Sequence, residues 1–116
     1  MNGKELQSLR KLLMLDVAEA ADLIGNVSAR SWQHWEAGEK PVPVDVEDAL
    51  DDLRDIRIEL IGQIDDRLVD GEKLELPYYI SFAEFEQHNP GKTKLDWRLS
   101  QSVAALYFTE GHAKLI

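Results

Sequence analysis

Apolar residues recur every three or four positions near the start of the chain, at Leu6, Leu9, Leu12 and Leu13. This spacing predicts a first amphipathic helix over residues 3–14. A second helix is predicted from Val17 to Ile24, because Asp16 before it and Glu19 three residues later have the spacing of a capping box. Gly25-Asn26 is expected to end that helix, glycine being the usual residue for a left-handed stop.

A third short helix is predicted directly after this turn. Ser28 is expected to cap it, and Gly38 to close it just beyond Ala37. Pro41 and Pro43 then separate these helices from the rest of the chain. The first 42 residues therefore predict a bundle of three short helices.

The longest periodic segment spans residues 44–70, with one apolar stripe formed by Val46, Leu50, Leu53, Leu60, Ile64 and Leu68. A continuous helix of this length would extend roughly 40 Å unless Gly62 breaks it. The sequence LELPYYI at 74–80 predicts a short strand, in which Pro77 is typical of a sheet edge. A short helix capped by Ser81 and a last helix capped by Asp96 complete the prediction.

These elements predict a mainly α-helical protein with two parts. Residues 1–70 would form a helix-turn-helix DNA-binding domain, comprising the bundle of residues 1–42 and a long acidic helix over 43–70. Residues 71–116 would form a small α+β region that dimerises. Two short helices joined by a tight turn are the geometry of a helix-turn-helix.

The composition narrows the classes of protein that remain. None of the 116 residues is cysteine, which excludes disulfides, thiolate zinc sites and cysteine nucleophiles. No apolar run approaches the ~18 residues of a membrane span. The opening segment carries Glu5 and does not resemble a signal peptide, so we expect a cytoplasmic protein without a membrane partner.

The formal net charge of −9 argues against non-specific nucleic-acid binding, but the acidity is local. Residues 43–72 hold eleven acidic side chains and three basic ones, whereas residues 1–42 hold six and five. The acidic segment lacks the Gly-centred loop of a calcium site and is best explained as a solvated helix face. The whole-chain charge therefore says little about what the first 42 residues can bind.

The predicted third helix carries the residues that can contact DNA. Trp32 and Trp35 are expected to face the first two helices, and the opposite side presents Arg30, Gln33, His34 and Ala37. Arginine pairs with guanine and glutamine with adenine in the major groove. The predicted recognition helix is 28–37, and the DNA-binding residues are Ser28, Ala29, Arg30, Ser31, Gln33, His34 and Lys40. A bundle with a merely polar surface helix is the alternative.

Other functional classes find little support. The three histidines, His34, His88 and His112, lack metal-ligand spacing, and neither a nucleophile elbow nor a phosphate-binding glycine loop is present. We therefore expect no enzyme, no cofactor and no metal. The aromatic cluster of Tyr78, Tyr79, Phe82, Phe85, Trp97, Tyr107 and Phe108 could form a dimer core, a ligand pocket or the core of a monomer.

The residues Ala21, Gly25, Val27, Trp32, Trp35, Glu36 and Gly38 resemble the Cro/C1 (Xre) helix-turn-helix superfamily, with Asn26 as one extra residue in the turn. The strings KELQxxRKLLMLDVxEAAxxIG and VSARSWQxWExG, with WRLSQSVAALYxTEGHAxLI at the end, are more specific. They resemble the YdiL-like regulators and the related anti-CRISPR-associated repressors over essentially the whole chain.

This resemblance implies a homodimeric autorepressor bound to an inverted repeat in its own promoter, and it also admits RNA as a partner. In the superfamily, a polar residue often contacts a phosphate at the position where this chain has Val17. The phosphate contact of this chain must therefore come from other residues. Lys4, Arg10, Lys11 and Lys40 are the candidates. An antitoxin-like interaction module, using the acidic helix and the C-terminal surface, remains the alternative function.

Overall fold

The computed structural model describes all residues from 1 to 116 and confirms that the protein is mainly helical. The elements are α1 (Gly3–Leu12), α2 (Val17–Ala20), a π-helical turn (Ala21–Gly25), α3 (Ala29–Glu36), α4 (Val44–Asp65), β1 (Leu74–Leu76), α5 (Phe82–His88), α6 (Lys94–Thr109) and β2 (Ala113–Leu115). The chain divides into two compact units, Met1–Asp55 and Ile56–Ile116. The division falls inside α4.

The first unit is built around two tryptophans. Trp32 is fully buried and Trp35 is 8% exposed, and their rings lie 5.5 Å apart between centroids. Val46 and Leu50, in the first part of α4, are also buried in this unit. The predicted inward side of α3 is therefore confirmed. α3 packs on α1, on α2 and on the π-helical turn.

Local capping bonds fix where the helices of this unit begin. Asp16 and Glu19 form the predicted capping box, with the Glu19 amide donating to Asp16 Oδ1 over 2.7 Å. Ser28 accepts a bond from the Ser31 amide over 3.2 Å and caps α3 as predicted. These side chains satisfy backbone donors that the first turn of a helix leaves unpaired.

The end of the second helix differs from the prediction. The left-handed residue is Asn26, with a φ of 52°, while Gly25 lies within the π-helical turn. A residue without a side chain is needed at Gly25 for a different reason. A Cβ there would lie 3.0 Å from Val27 Cγ2 and 3.2 Å from Trp32 Cε3. The glycine lets the tryptophan core approach the backbone, and Asn26 tolerates the left-handed turn.

The second unit contains a sheet that the sequence analysis predicted only in part. β1 pairs in parallel with β2, Leu74 opposite Ala113 and Leu76 opposite Leu115. The predicted strand over 74–80 is shorter, ending at Leu76 just before Pro77, which has no amide hydrogen for the ladder. β2 was not predicted, since three residues are too few to show an alternating pattern.

Two predicted helix boundaries are also wrong. α4 passes through Gly62 without a break but ends at Asp65 instead of residue 70. α6 begins three residues earlier than predicted because Thr93, not Asp96, is its cap. Asp96 is the partner residue of that capping box and accepts a bond from the Thr93 amide over 2.9 Å.

Three side chains of the aromatic cluster, Phe85, Trp97 and Tyr107, are buried in the second unit, and Tyr78, Tyr79 and Phe82 are half-buried. Phe82 lies between Phe85 and Trp97, with ring centroids 6.3 and 6.2 Å away, and Trp97 Nε1 donates to the Tyr79 carbonyl oxygen over 2.8 Å. Phe108 is the exception, with 55% of its surface exposed. None of the helices combines the length and the apolar character that a bilayer span requires.

Candidate nucleic-acid interface

The outer side of α3 carries an exposed polar face. Arg30 and Gln33, one turn apart, are both exposed, as is Ala37 beyond the end of the helix. The His34 side chain is 31% exposed, and its Nδ1 contacts a carboxylate oxygen of Glu39. Arg30 and Gln33 therefore project away from the tryptophan core, whereas the Glu39 contact limits what His34 can offer a ligand.

The N-terminal end of the same helix is also open. Ser28 and Ala29 are exposed, and Ser31 is half-buried. The Ser28 hydroxyl lies 3.2 Å from both the amide and the hydroxyl of Ser31. The structure thus brings the predicted residues Ser28, Ala29, Arg30, Ser31 and Gln33 onto one end and one side of α3.

Two lysines flank the other end of α3. A groove between the first turn of α1 and the end of α3 is lined by Lys4, Ala37 and Gly38, and an adjoining groove by Gly38 and Lys40. Both lysines are exposed and form none of the ion pairs in the structure. Lys4 and Lys40 therefore place positive charge beside the polar face of α3.

Arg10 is not available as a phosphate contact, contrary to the prediction. The residue is 8% exposed, and its Nε and Nη2 atoms donate to the two carboxylate oxygens of Glu36 over 2.6 and 3.0 Å. Its Nη1 donates to the carbonyl oxygen of Leu15 over 3.1 Å. The guanidinium is thus committed to a two-point bond that links α1 to α3.

Glu36 is the centre of this buried network. Trp32 Nε1 donates to Glu36 Oε2 over 2.5 Å, in addition to the two bonds from Arg10. Burial alone would raise the pKa of Glu36, but the bonds from Arg10 and Trp32 and the charge of Arg10 outweigh it and hold that pKa below 4.5. The same bond with Glu36 raises the pKa of Arg10 above its ordinary value, so both groups stay charged at neutral pH.

Gly3 supplies a second contact between α1 and α3. A Cβ at this position would lie 2.4 Å from the Glu36 carbonyl oxygen and 2.5 Å from that of Trp35. The first turn of α1 therefore rests directly on the last carbonyl groups of α3. Only glycine allows this approach without moving one of the two helices.

The sequence analysis missed Gly3 and Arg10 as packing residues, although their spacing contains the signal. Gly3, Leu6, Arg10 and Leu13 follow one another at intervals of three or four and are all buried. The charge of Arg10 suggested an outward side chain, while its position on the apolar stripe indicates an inward one. A buried arginine requires a carboxylate partner, which Glu36 provides.

The second unit carries a different exposed surface. Most of the large apolar side chains that remain exposed belong to residues 56–116, namely Ile56, Ile58, Val69, Ile80, Phe108 and Ile116. Only Leu12 and Val44 are comparable in the first unit. Exposed apolar side chains mark a site of protein association where they lie together in one patch.

Comparison with known proteins supports the resemblance drawn from the sequence. The chain is 59% identical over 116 residues to the Aca2 repressor of Pectobacterium phage ZF40, covering the full length of both proteins. It is 29% identical over 110 residues to the uncharacterized protein YdiL of Escherichia coli K12, covering 90% of this chain and 91% of that protein. The Aca2/YdiL-like family model matches residues 1–116, and the chain therefore belongs to the Aca2/YdiL-like family.

Proposed function

We propose that the protein is a cytoplasmic transcriptional repressor that binds DNA through α3. The observation that carries this proposal is the exposure of Arg30 and Gln33 on one side of a helix whose other side is held by two buried tryptophans. A firmly packed helix whose surface side chains can form bidentate hydrogen bonds suits insertion into the major groove. The similarity to a protein named as a repressor supports the same conclusion.

Each exposed residue has a role that follows from its chemistry. Arg30 would contact guanine and Gln33 adenine, while the Ala29 methyl group would pack on a thymine methyl. Ser28 and Ser31 at the start of α3, and Lys4 and Lys40 at its end, would contact phosphates. His34 would lie beside these contacts, oriented by Glu39.

A homodimer follows from the modest positive charge of this surface. The two lysines of a single copy neutralise few phosphates, so two copies are needed for useful affinity. The exposed apolar side chains of residues 56–116 provide the surface on which the copies would associate. Two-fold symmetry then predicts an inverted-repeat operator, with half-sites about one helical turn or a multiple of it apart.

The test is binding of the full-length protein to the DNA immediately upstream of its own gene, measured by fluorescence anisotropy at two salt concentrations. Arg30→Ala should weaken operator binding by about 1–3 kcal/mol per half-site and leave the melting temperature unchanged. Arg67→Ala removes one exposed positive charge from the second unit and is the matched control. Operator binding by Arg30→Ala equal to that of the unmodified protein would contradict the assignment of α3.

Two further outcomes of the same measurement identify other functions. A folded, dimeric protein that binds no DNA would favour the protein-interaction alternative, in which acidic α4 and the apolar surface of the second unit hold a partner protein. Binding of the corresponding RNA transcript in place of the duplex would make RNA the principal partner. The proposed repressor requires saturable binding to the duplex that weakens as the salt concentration rises.

A further inference from the structure

Two contacts on the same side of α1 hold the C-terminal end of α3. Gly3 and Arg10 lie two helical turns apart on α1, so both face α3. Gly3 meets the carbonyl groups of Trp35 and Glu36, and Arg10 meets the carboxylate of Glu36. We call Gly3, Arg10 and Glu36 the α1 clamp.

The Gly3 contact fixes how closely the two helices can approach. The atoms that a Cβ would meet are backbone oxygens, at 2.4 and 2.5 Å, which cannot rotate away as a flexible side chain could. Any side chain at this position must therefore displace α1, α3 or both. The contact therefore leaves the last turn of α3 little room to move towards α1.

The Arg10 contact fixes the rotation of the same end. A bidentate bond between a planar guanidinium and a carboxylate is directional, whereas a single charge contact is not. Leu15 holds the guanidinium from the other side, and Trp32 holds the carboxylate. The network thus joins the α1 clamp to the tryptophan core on which α3 rests.

We propose that the α1 clamp sets the sequence discrimination of the recognition helix by fixing its orientation, an inference that rests on the proposed function. α3 has eight residues and is about 12 Å long, so a change at its C-terminal end alters the direction of Arg30 and Gln33. Bidentate bonds to base edges depend on that direction, while phosphate contacts tolerate small changes. Gly3, Arg10 and Glu36 are accordingly positioning residues that touch no base.

The experiment compares the affinity of each full-length variant for two duplexes. One is the DNA immediately upstream of the protein's own gene, and the other is a scrambled duplex of the same length and composition. Gly3→Ala, Arg10→Lys and Glu36→Gln should each lose about tenfold in affinity for the first duplex and less than about twofold for the second. Gly62→Ala adds the same methyl group where nothing lies within 4 Å and should change neither affinity.

The outcomes separate this inference from the proposed function. Lost discrimination in two clamp variants that remain folded and dimeric, with Gly62→Ala unaffected, supports the inference. The inference is overturned if the clamp variants lose only thermal stability and the folded proteins keep the ratio of the two affinities. The α1 clamp would then be a purely structural contact. The proposed function is contradicted by different results. These are an unmodified protein that does not bind the upstream duplex, or an Arg30→Ala variant that binds it as tightly as the unmodified protein.

Discussion

Glu36 shows how one buried carboxylate makes folding depend on pH. Its pKa in the folded protein lies below the ordinary 4.5, so folding favours the charged form. The stabilisation is present above about pH 4.5 and is lost as the pH falls through the lower, folded-state pKa. Acid should therefore loosen the contact between α1 and α3.

We predict that the melting temperature of Glu36→Gln falls less steeply between neutral pH and about pH 3 than that of the unmodified protein. The reason is that the variant has no carboxylate to protonate at this site. Glu86→Gln removes an exposed carboxylate from α5 and serves as the control. Parallel melting curves for Glu36→Gln and the unmodified protein across this pH range would contradict the assigned pKa direction.

Residue by residue, spacing proved a better guide to side-chain direction than polarity. The three-residue interval between Trp32 and Trp35 correctly placed both side chains inward. Polarity misassigned Arg10 to the surface, because a lone sequence gives no sign that Glu36 comes within 2.6 Å of it. Pairings between distant residues of this kind depend on the packed fold and are not local properties of the chain.

Among the elements, α6 offers a direct comparison of two possible caps. Thr93 and Asp96 are three residues apart, and either residue type can cap a helix. The structure places Thr93 at the cap, where its hydroxyl accepts a bond from the Asp96 amide over 3.2 Å. A single-sequence pattern could not separate these two starting points.

Thr93→Ala should therefore destabilise the protein by about 1 kcal/mol, the usual cost of removing a cap. Urea denaturation followed by circular dichroism measures this change in the free energy of unfolding. Thr93→Ser keeps the capping oxygen and should recover most of the loss. If alanine at this position left the free energy of unfolding unaltered, the helix would have to begin elsewhere.

The π-helical turn is an element that local propensity did not predict. It spans Ala21–Gly25 and is followed by Asn26, the residue that the resemblance marked as extra. A π turn is one residue wider than an α turn, so it accommodates an insertion without changing the helices on either side. The presence of a helix was predictable here, whereas the apolar spacing of five residues does not distinguish a π turn from an α turn.

At the level of the whole molecule, the unequal distribution of exposed apolar side chains leads to a test of association. Sedimentation equilibrium should show a particle of two 13.2 kDa chains. Phe108→Asp, in the second unit, should shift it towards single chains, because a charge in an interface is not solvated. Val44→Asp alters an apolar residue of the first unit that is even more exposed and should leave the dimer intact. A monomeric unmodified protein would contradict the proposed dimer.

The pairing of β1 with β2 also determines which unit can fold first during synthesis. All of the core side chains of the first unit lie within the first 50 residues, whereas β1 must wait for residues 113–115 before its sheet can form. Domains generally fold as they emerge from the ribosome, the N-terminal one first. The tryptophan core and its polar helix would therefore be folded on the nascent chain while the surface that we propose for association is still incomplete.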